Sequence, residues 1–298
     1  MKKTFFCFIV FAILCKSDIY ASDTLSFNAT AQLEFPILGL SLYNNSSELK
    51  YSPNNSLVFK LGLQYKNLGL TFGFGSGRMD TLYNVTTKYF DFQGFYYFKK
   101  IGTDIYFQNF KGYYIDEILI SDEALLPDMQ TQTWTVNQYF KLGGSNNISD
   151  LISAISNNKK FSFIFFAMGS VSHRKIKSSQ NLIPLSEELK LPSFNELKNF
   201  DTYCLSASAG MLLKFHTSKY YMNQSLSVGL GYPISKSDIE INNIYSIKIN
   251  LKLIAGYQGN RFCTGMFVVN DSDAINYEED YTIQFHSILI NFFLKYKF

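Results

Sequence analysis

The 298-residue sequence predicts an all-β fold, an antiparallel up-and-down transmembrane β-barrel of about twelve strands. Three observations predict it. Apolar residues recur at every second position through most of the chain, the period of a strand with two unlike faces. Aromatic residues bracket the apolar stripes at a fixed separation, as the girdles of a membrane barrel do. The connections between stripes alternate between short and long, the asymmetry of periplasmic turns and outer loops.

The elements follow in chain order. Lys2 and Lys3 precede an apolar stretch from Thr4 to Cys15, and Ile19-Tyr20-Ala21 offers a cleavage site. Residues 1–21 therefore read as a secretory signal peptide and residues 22–298 as the barrel. The first strand alternates Leu25, Phe27, Ala29, Ala31, Leu33 and Phe35 with polar residues that include Glu34. Stripes return at Leu57 to Tyr65 and Leu68 to Phe74, around a Lys66-Asn67 turn, and at Phe90 to Phe98. Ile105 with Phe107, Trp134 with Val136, and Phe161 to Val171 continue them. Tyr203 to Phe215, Tyr220 to Tyr232 and Tyr245 to Tyr257 each carry aromatics twelve residues apart at their ends. Tilted strands of that length cover roughly 30 Å, the height of an apolar band with its girdles. A weaker stripe runs from Phe262 to Val268, and Ile288 to Phe298 alternates up to a terminal Phe. The aromatic girdle is assigned to Tyr203, Phe215, Tyr220, Tyr232, Tyr245, Tyr257, Tyr296 and Phe298.

Residues 66–67, 99–102, 216–219 and 258–260 read as short turns. Residues 36–55, 76–86, 112–129, 174–200, 233–243 and 271–282 read as long loops. Residues 143–160 fall where a short turn belongs, and Ile148, Leu151, Ile152 and Ile155 have the spacing of a small helix. Pro184 to Leu197 is expected to form a second short helix folded over the mouth.

Composition excludes several alternatives. Formal net charge is +3 with 17% charged residues, too balanced for a nucleic-acid partner. An aromatic fraction of 17% excludes disorder, and the longest apolar run, Phe5 to Cys15, is too short to span as a helix. The faces opposite the apolar stripes, such as Asn223, Ser225, Ser227 and Gly229, suit a polar lumen rather than an apolar lipocalin interior.

Leu61 to Leu70, Tyr89 to Tyr97, Asp104 to Tyr114, and Gly256 to Phe262 followed by Gly265 carry a family pattern. Over residues 57–115 and 202–268 the chain resembles an exported outer-membrane-type barrel family, a domain-of-unknown-function family best represented in Bacteroidetes. Residues 125–200 depart from that pattern. The resemblance implies a barrel and no activity. The C-terminal strand also resembles the signal read by the bacterial barrel-assembly machinery, which makes that machinery and outer-membrane lipid the expected partners.

The candidate site is a set of polar residues on the inward face. Lys60, Lys248, Lys252 and Arg261 supply positive charge, Asp91 and Asp104 negative charge, with Tyr106 and Gln108 beside them. Two readings stand: a polar pore that orients a small solute, or a lumen crosslinked by ion pairs. The first gives the leading expectation, a passive outer-membrane channel for a small polar solute. The alternative is a closed structural or adhesion barrel working through its loops.

A barrel hydrolase is a third and weaker reading. His216-Thr217-Ser218 has the His-x-Ser spacing of outer-membrane phospholipases but is followed by Lys219 in a short turn, and His173 opens a basic stretch, His173-Arg174-Lys175. No enzyme activity, cofactor or metal is expected. Acidic stretches at 112–129 and 271–280 read as solvated loops. Cys204 and Cys263 fall on non-neighbouring strands and are expected as free thiols.

Overall fold

The computed structural model describes residues 27–54, 57–78, 84–116, 124–145, 147–151, 161–184, 191, 194, 197–235, 245–277 and 281–298. The expected signal peptide lies outside them. Thirteen antiparallel strands form one sheet. They are β1 (Phe27–Tyr43), β2 (Glu48–Pro53), β3 (Val58–Tyr65), β4 (Leu68–Gly77), β5 (Thr87–Tyr97), β6 (Ile101–Ile115) and β7 (Leu125–Gly144), then β8 (Phe161–Lys177), β9 (Asn199–His216), β10 (Tyr220–Ser235), β11 (Ser246–Gln258), β12 (Phe262–Tyr277) and β13 (Tyr281–Lys297). The 3-10 turn at Ile148–Leu151 is described over its full length.

The sheet closes on itself. β13 pairs with β1 along its length, from Asn28 opposite Lys297 to Tyr43 opposite Thr282. Closure leaves the wall without a free sheet edge, which hydrocarbon demands of a spanning sheet. β1 and β3 to β13 make the wall, so twelve strands cross and the even number expected from sequence holds. The thirteenth, β2, is six residues long and sits at the outer end. There Leu40 to Tyr43 of β1 leave β3 and pair with β2, which passes on to Tyr113 to Ile115 of β6. β1, β2 and β6 thus close the outer rim above the shorter strands β3 to β5.

The exterior inverts the pattern of a water-soluble protein. On β10, Leu226, Val228 and Leu230 are 47%, 53% and 67% exposed, while Ser225 and Ser227 are buried at 5% and 3%. Apolar side chains left outside in this way have lipid as their solvent. All eight girdle residues point outward. At the short-turn end the rings of Phe27 and Phe298 lie 5.6 Å apart, Tyr296 and Phe262 5.0 Å, Tyr220 and Tyr257 5.7 Å, and Phe215 and Phe161 5.0 Å. These contacts join neighbouring strands into a belt.

Strands run further than the apolar stripes indicate. Beyond the outer girdle both faces turn polar, so the alternation fades while the hydrogen-bonded ladder continues. Arg174 therefore lies on β8, Asp128 on β7, and Asp271 and Asp273 on β12, where loops were expected. Glu117, Asp122, Glu123, Glu278, Glu279 and Asp280 fall outside the described residues.

Described residues of the two unusual connections are buried against the inward face of the wall. Leu182, Ile183, Leu191, Phe194 and Leu197 are buried at 2% or less, packed against inward side chains of β1, β2, β6 and β8 such as Leu40, Tyr51, Ile115 and Ile176. The Tyr51 hydroxyl donates to the Leu182 carbonyl at 2.8 Å, and the Leu182 amide to the Leu197 carbonyl at 3.0 Å. Of the segment expected over the mouth, Leu191, Phe194 and Leu197 lie inside it; the rest of 185–196, and with it the expected helix, lies outside the described residues. At the opposite end, Ile148 is fully buried among Tyr97, Tyr139, Ile164, Phe166, Met168 and Leu212. The amides of Ile148 and Ser149 donate to the carbonyls of Lys99 and Phe98, tying the 3-10 turn to the β5–β6 turn. The helix expected at 148–155 is described only over this one turn.

Candidate functional site

A strand presents alternate side chains to one face, so the lumen collects every second residue of twelve strands. Charged groups placed there lose water and must find partners or be neutralised. They are arranged in three layers.

Nearest the outer plug, Arg174 on β8 reaches across to β12. Its Nη2 donates to Asp273 Oδ2 at 2.5 Å and its Nε to the same oxygen at 3.2 Å, with Asp271 at 3.8 Å. Lys248 on β11 lies 3.7 Å from Asp271 and donates to Ser170 Oγ at 2.9 Å.

In the second layer Lys60 is fully buried between two carboxylates, Glu34 at 2.5 Å and Asp91. The Tyr89 hydroxyl donates to Glu34 at 3.0 Å and the Gln93 amide to Asp91 at 2.9 Å. Lys60 is on β3 and Asp91 on β5, so the ammonium must pass β4. Gly73 makes that possible: a Cβ there would stand 2.2 Å from Asp91 Oδ1 and 2.9 Å from Lys60 Cγ.

In the third layer Asp104 on β6 meets Lys252, which crosses from β11. Its carboxylate also accepts from the hydroxyls of Tyr97, Tyr106 at 3.2 Å and Tyr139 at 2.8 Å. Lys252 donates to the Tyr139 oxygen at 3.0 Å and lies over the rings of Tyr106 and Tyr139. Gln108 is buried between the layers, opposite Asp91 on one neighbour and Thr133 on the other.

Seven of the eight expected lumen residues thus face inward. Arg261 does not: it lies exposed in the turn before β12, with its carbonyl accepting from the Lys297 amide. Sequence reasoning also missed Glu34, Tyr97, Tyr139, Arg174, Asp271 and Asp273. Glu34 and the tyrosines were visible on inward faces, whereas Arg174, Asp271 and Asp273 were hidden by strands that outrun their stripes.

Among the described residues a space remains open beside these layers. A cavity of about 150 Å³ lies at the short-turn end, between the third layer and the turns. Polar side chains of β1, β3 and β4 line it together with Phe95, Ile254, Phe267 and Phe293, with Lys252, Asp104 and Lys295 also in its lining.

The flagged histidines stand apart from the lumen, whereas the two cysteines are on its inward faces. Thr217 Oγ1 accepts from the Lys219 and Tyr220 amides, which places His216-Thr217-Ser218 at a tight turn. His173 is outward on β8, stacked on Tyr203 at 4.4 Å, with its Nε2 2.7 Å from Asp201. Cys204 and Cys263 are buried free thiols next to the hydroxyls of Ser246 and Tyr221. Among the described residues no three His, Cys, Asp or Glu side chains converge to hold a metal.

Three solved barrels are similar at low identity. The translocator domain of autotransporter NalP from Neisseria meningitidis is 11% identical with a TM-score of 0.45, over 100% of this chain and 97% of that one. An outer membrane channel from Pseudomonas putida F1 is 11% identical with a TM-score of 0.41, over 95% and 98%. The outer membrane protease OmpT from Escherichia coli is 10% identical with a TM-score of 0.40, over 93% and 100%. Comparison with curated proteins finds no match. A family model matches residues 21–298, including residues 125–200 where the sequence pattern departs. The chain belongs to that family, the domain of unknown function DUF4421.

Proposed function

We propose that the protein is an outer-membrane barrel closed to passive flow, working through its outer rim and loops. The observation that carries this reading is the apolar plug. Among the described residues, Leu182, Ile183, Leu191, Phe194 and Leu197 pack with side chains from the wall at the outer mouth, and such dry apolar packing opposes passage of a small polar solute. Below the plug, Arg174 and Lys252 cross the lumen as paired bars. Export through the N-terminal signal and assembly through the strand ending at Phe298 belong to the same reading, as does the absence of an enzymatic role. The passive channel expected from sequence requires the plug to leave. Osmotic swelling of liposomes separates the two: the purified full chain should leave arabinose-loaded vesicles no more permeable than protein-free ones. Swelling at porin-like rates would restore the channel.

A further inference from the structure

The chamber at the short-turn end has a chemistry that the closed-barrel reading does not use. Lys60, Arg174, Lys248 and Lys252 each have a carboxylate partner. Lys295 differs. Its ammonium donates to the neutral Gln64 Oε1 at 2.5 Å, and among the described residues no carboxylate lies within ion-pair distance of it. With Asp104 and Lys252 cancelling each other, the chamber carries one uncompensated positive charge at its rim. Gln64 and Lys295 are half-buried, so that rim is open toward the short turns. Behind it Phe95, Ile254, Phe267 and Phe293 give an apolar part to a space of about 150 Å³ that is otherwise lined by polar side chains. Space of that class accommodates a benzene-sized body. A desolvated charge-assisted hydrogen bond to an oxyanion is the strongest contact such a rim can offer.

We propose that this chamber binds a small monoanionic carboxylate with a single-ring or equally compact apolar body, entering from the periplasmic side. The carboxylate is held by Lys295 and Gln64, and the body packs on Phe267 and Phe293. The site needs no through-passage, so it stands or falls independently of whether the barrel conducts.

Equilibrium dialysis with benzoate tests it, using the full chain in lipid nanodiscs and empty nanodiscs to subtract partitioning into lipid. The wild type should bind one benzoate saturably, and benzamide, which lacks the charge, at least about tenfold more weakly. Lys295→Gln should weaken benzoate by a similar factor and leave benzamide unchanged, while Phe267→Trp, which fills the space, should abolish both. Resistance of the folded band to heating on gels confirms that each variant has formed its barrel. Absence of saturable binding to the wild type overturns the proposal, as does benzoate affinity unchanged in either folded variant.

Discussion

An ammonium stripped of water is stable only where carboxylates replace the water, and Lys60 sits between two of them. Removing it leaves Glu34 and Asp91 facing each other in a dry interior. Lys60→Met is expected to cost about 3–5 kcal/mol, read from the urea midpoint of barrels folded into vesicles. The triple variant Glu34→Gln, Lys60→Met, Asp91→Asn should recover most of that loss, because no uncompensated charge remains. The outward pair of Asp201 with His173 and Lys175 follows a different rule, since it lies beyond the girdle residue Tyr203 and meets water. Burial raises the Asp201 carboxyl, but hydrogen bonds from Lys175 and His173 outweigh it and hold the group below its ordinary value of 3.8. A carboxyl depressed in the folded state contributes stability above its unfolded value and loses it as pH falls through the folded one. Asp201→Asn should therefore lower the urea midpoint at neutral pH, and the difference from wild type should vanish in buffers acidic enough to protonate Asp201.

Among the elements, the wall was legible and the connections were not. Strands β10 and β11 announce themselves because lipid outside and polar lumen inside force alternation from Tyr220 to Tyr232 and from Tyr245 to Tyr257, broken only at Gln224 and Ile254. β2 left no such mark: its inward Leu49 and Tyr51 face the plug, its outward side is solvated, and six residues are too few to show a period. The outer half of β12 was obscured by Asp271 and Asp273, which read as loop residues until Arg174 and Lys248 are found opposite them. Lumen partners such as Lys252 and Asp104 lie on strands that do not touch in the ring, and alternation fixes only the face of a residue, never its partner across the bore. The connection at 143–160 departs from a plain turn because Ile148 is needed inside. Ile148→Ala empties a site walled by Tyr97, Tyr139 and Phe166 and should cost about 2–5 kcal/mol in the same urea assay. A loss near zero would mean that the 3-10 turn is only resting on the barrel end.

At the scale of the whole molecule, the same hydrophobic effect acts twice with opposite sense. Outside, Leu226, Val228 and Leu230 face lipid; inside, Leu40, Tyr51, Leu182 and Phe194 bury one another at the outer mouth. On the closed-barrel reading the second of these makes the lumen a core rather than a pore above the ion-pair layers, and an open space remains at the end where the short turns lie. On that reading a barrel wide enough for a narrow passage is sealed by residues between β8 and β9, Leu182, Leu191, Phe194 and Leu197 among them. Loosening that connection while leaving the wall intact should open it. Planar-bilayer recording addresses this directly, with the wild type beside the triple variant Leu182→Ser, Phe194→Ser, Leu197→Ser. A silent wild type and stepwise current from the variant are the predicted result, and steady stepwise current from the wild type would contradict it.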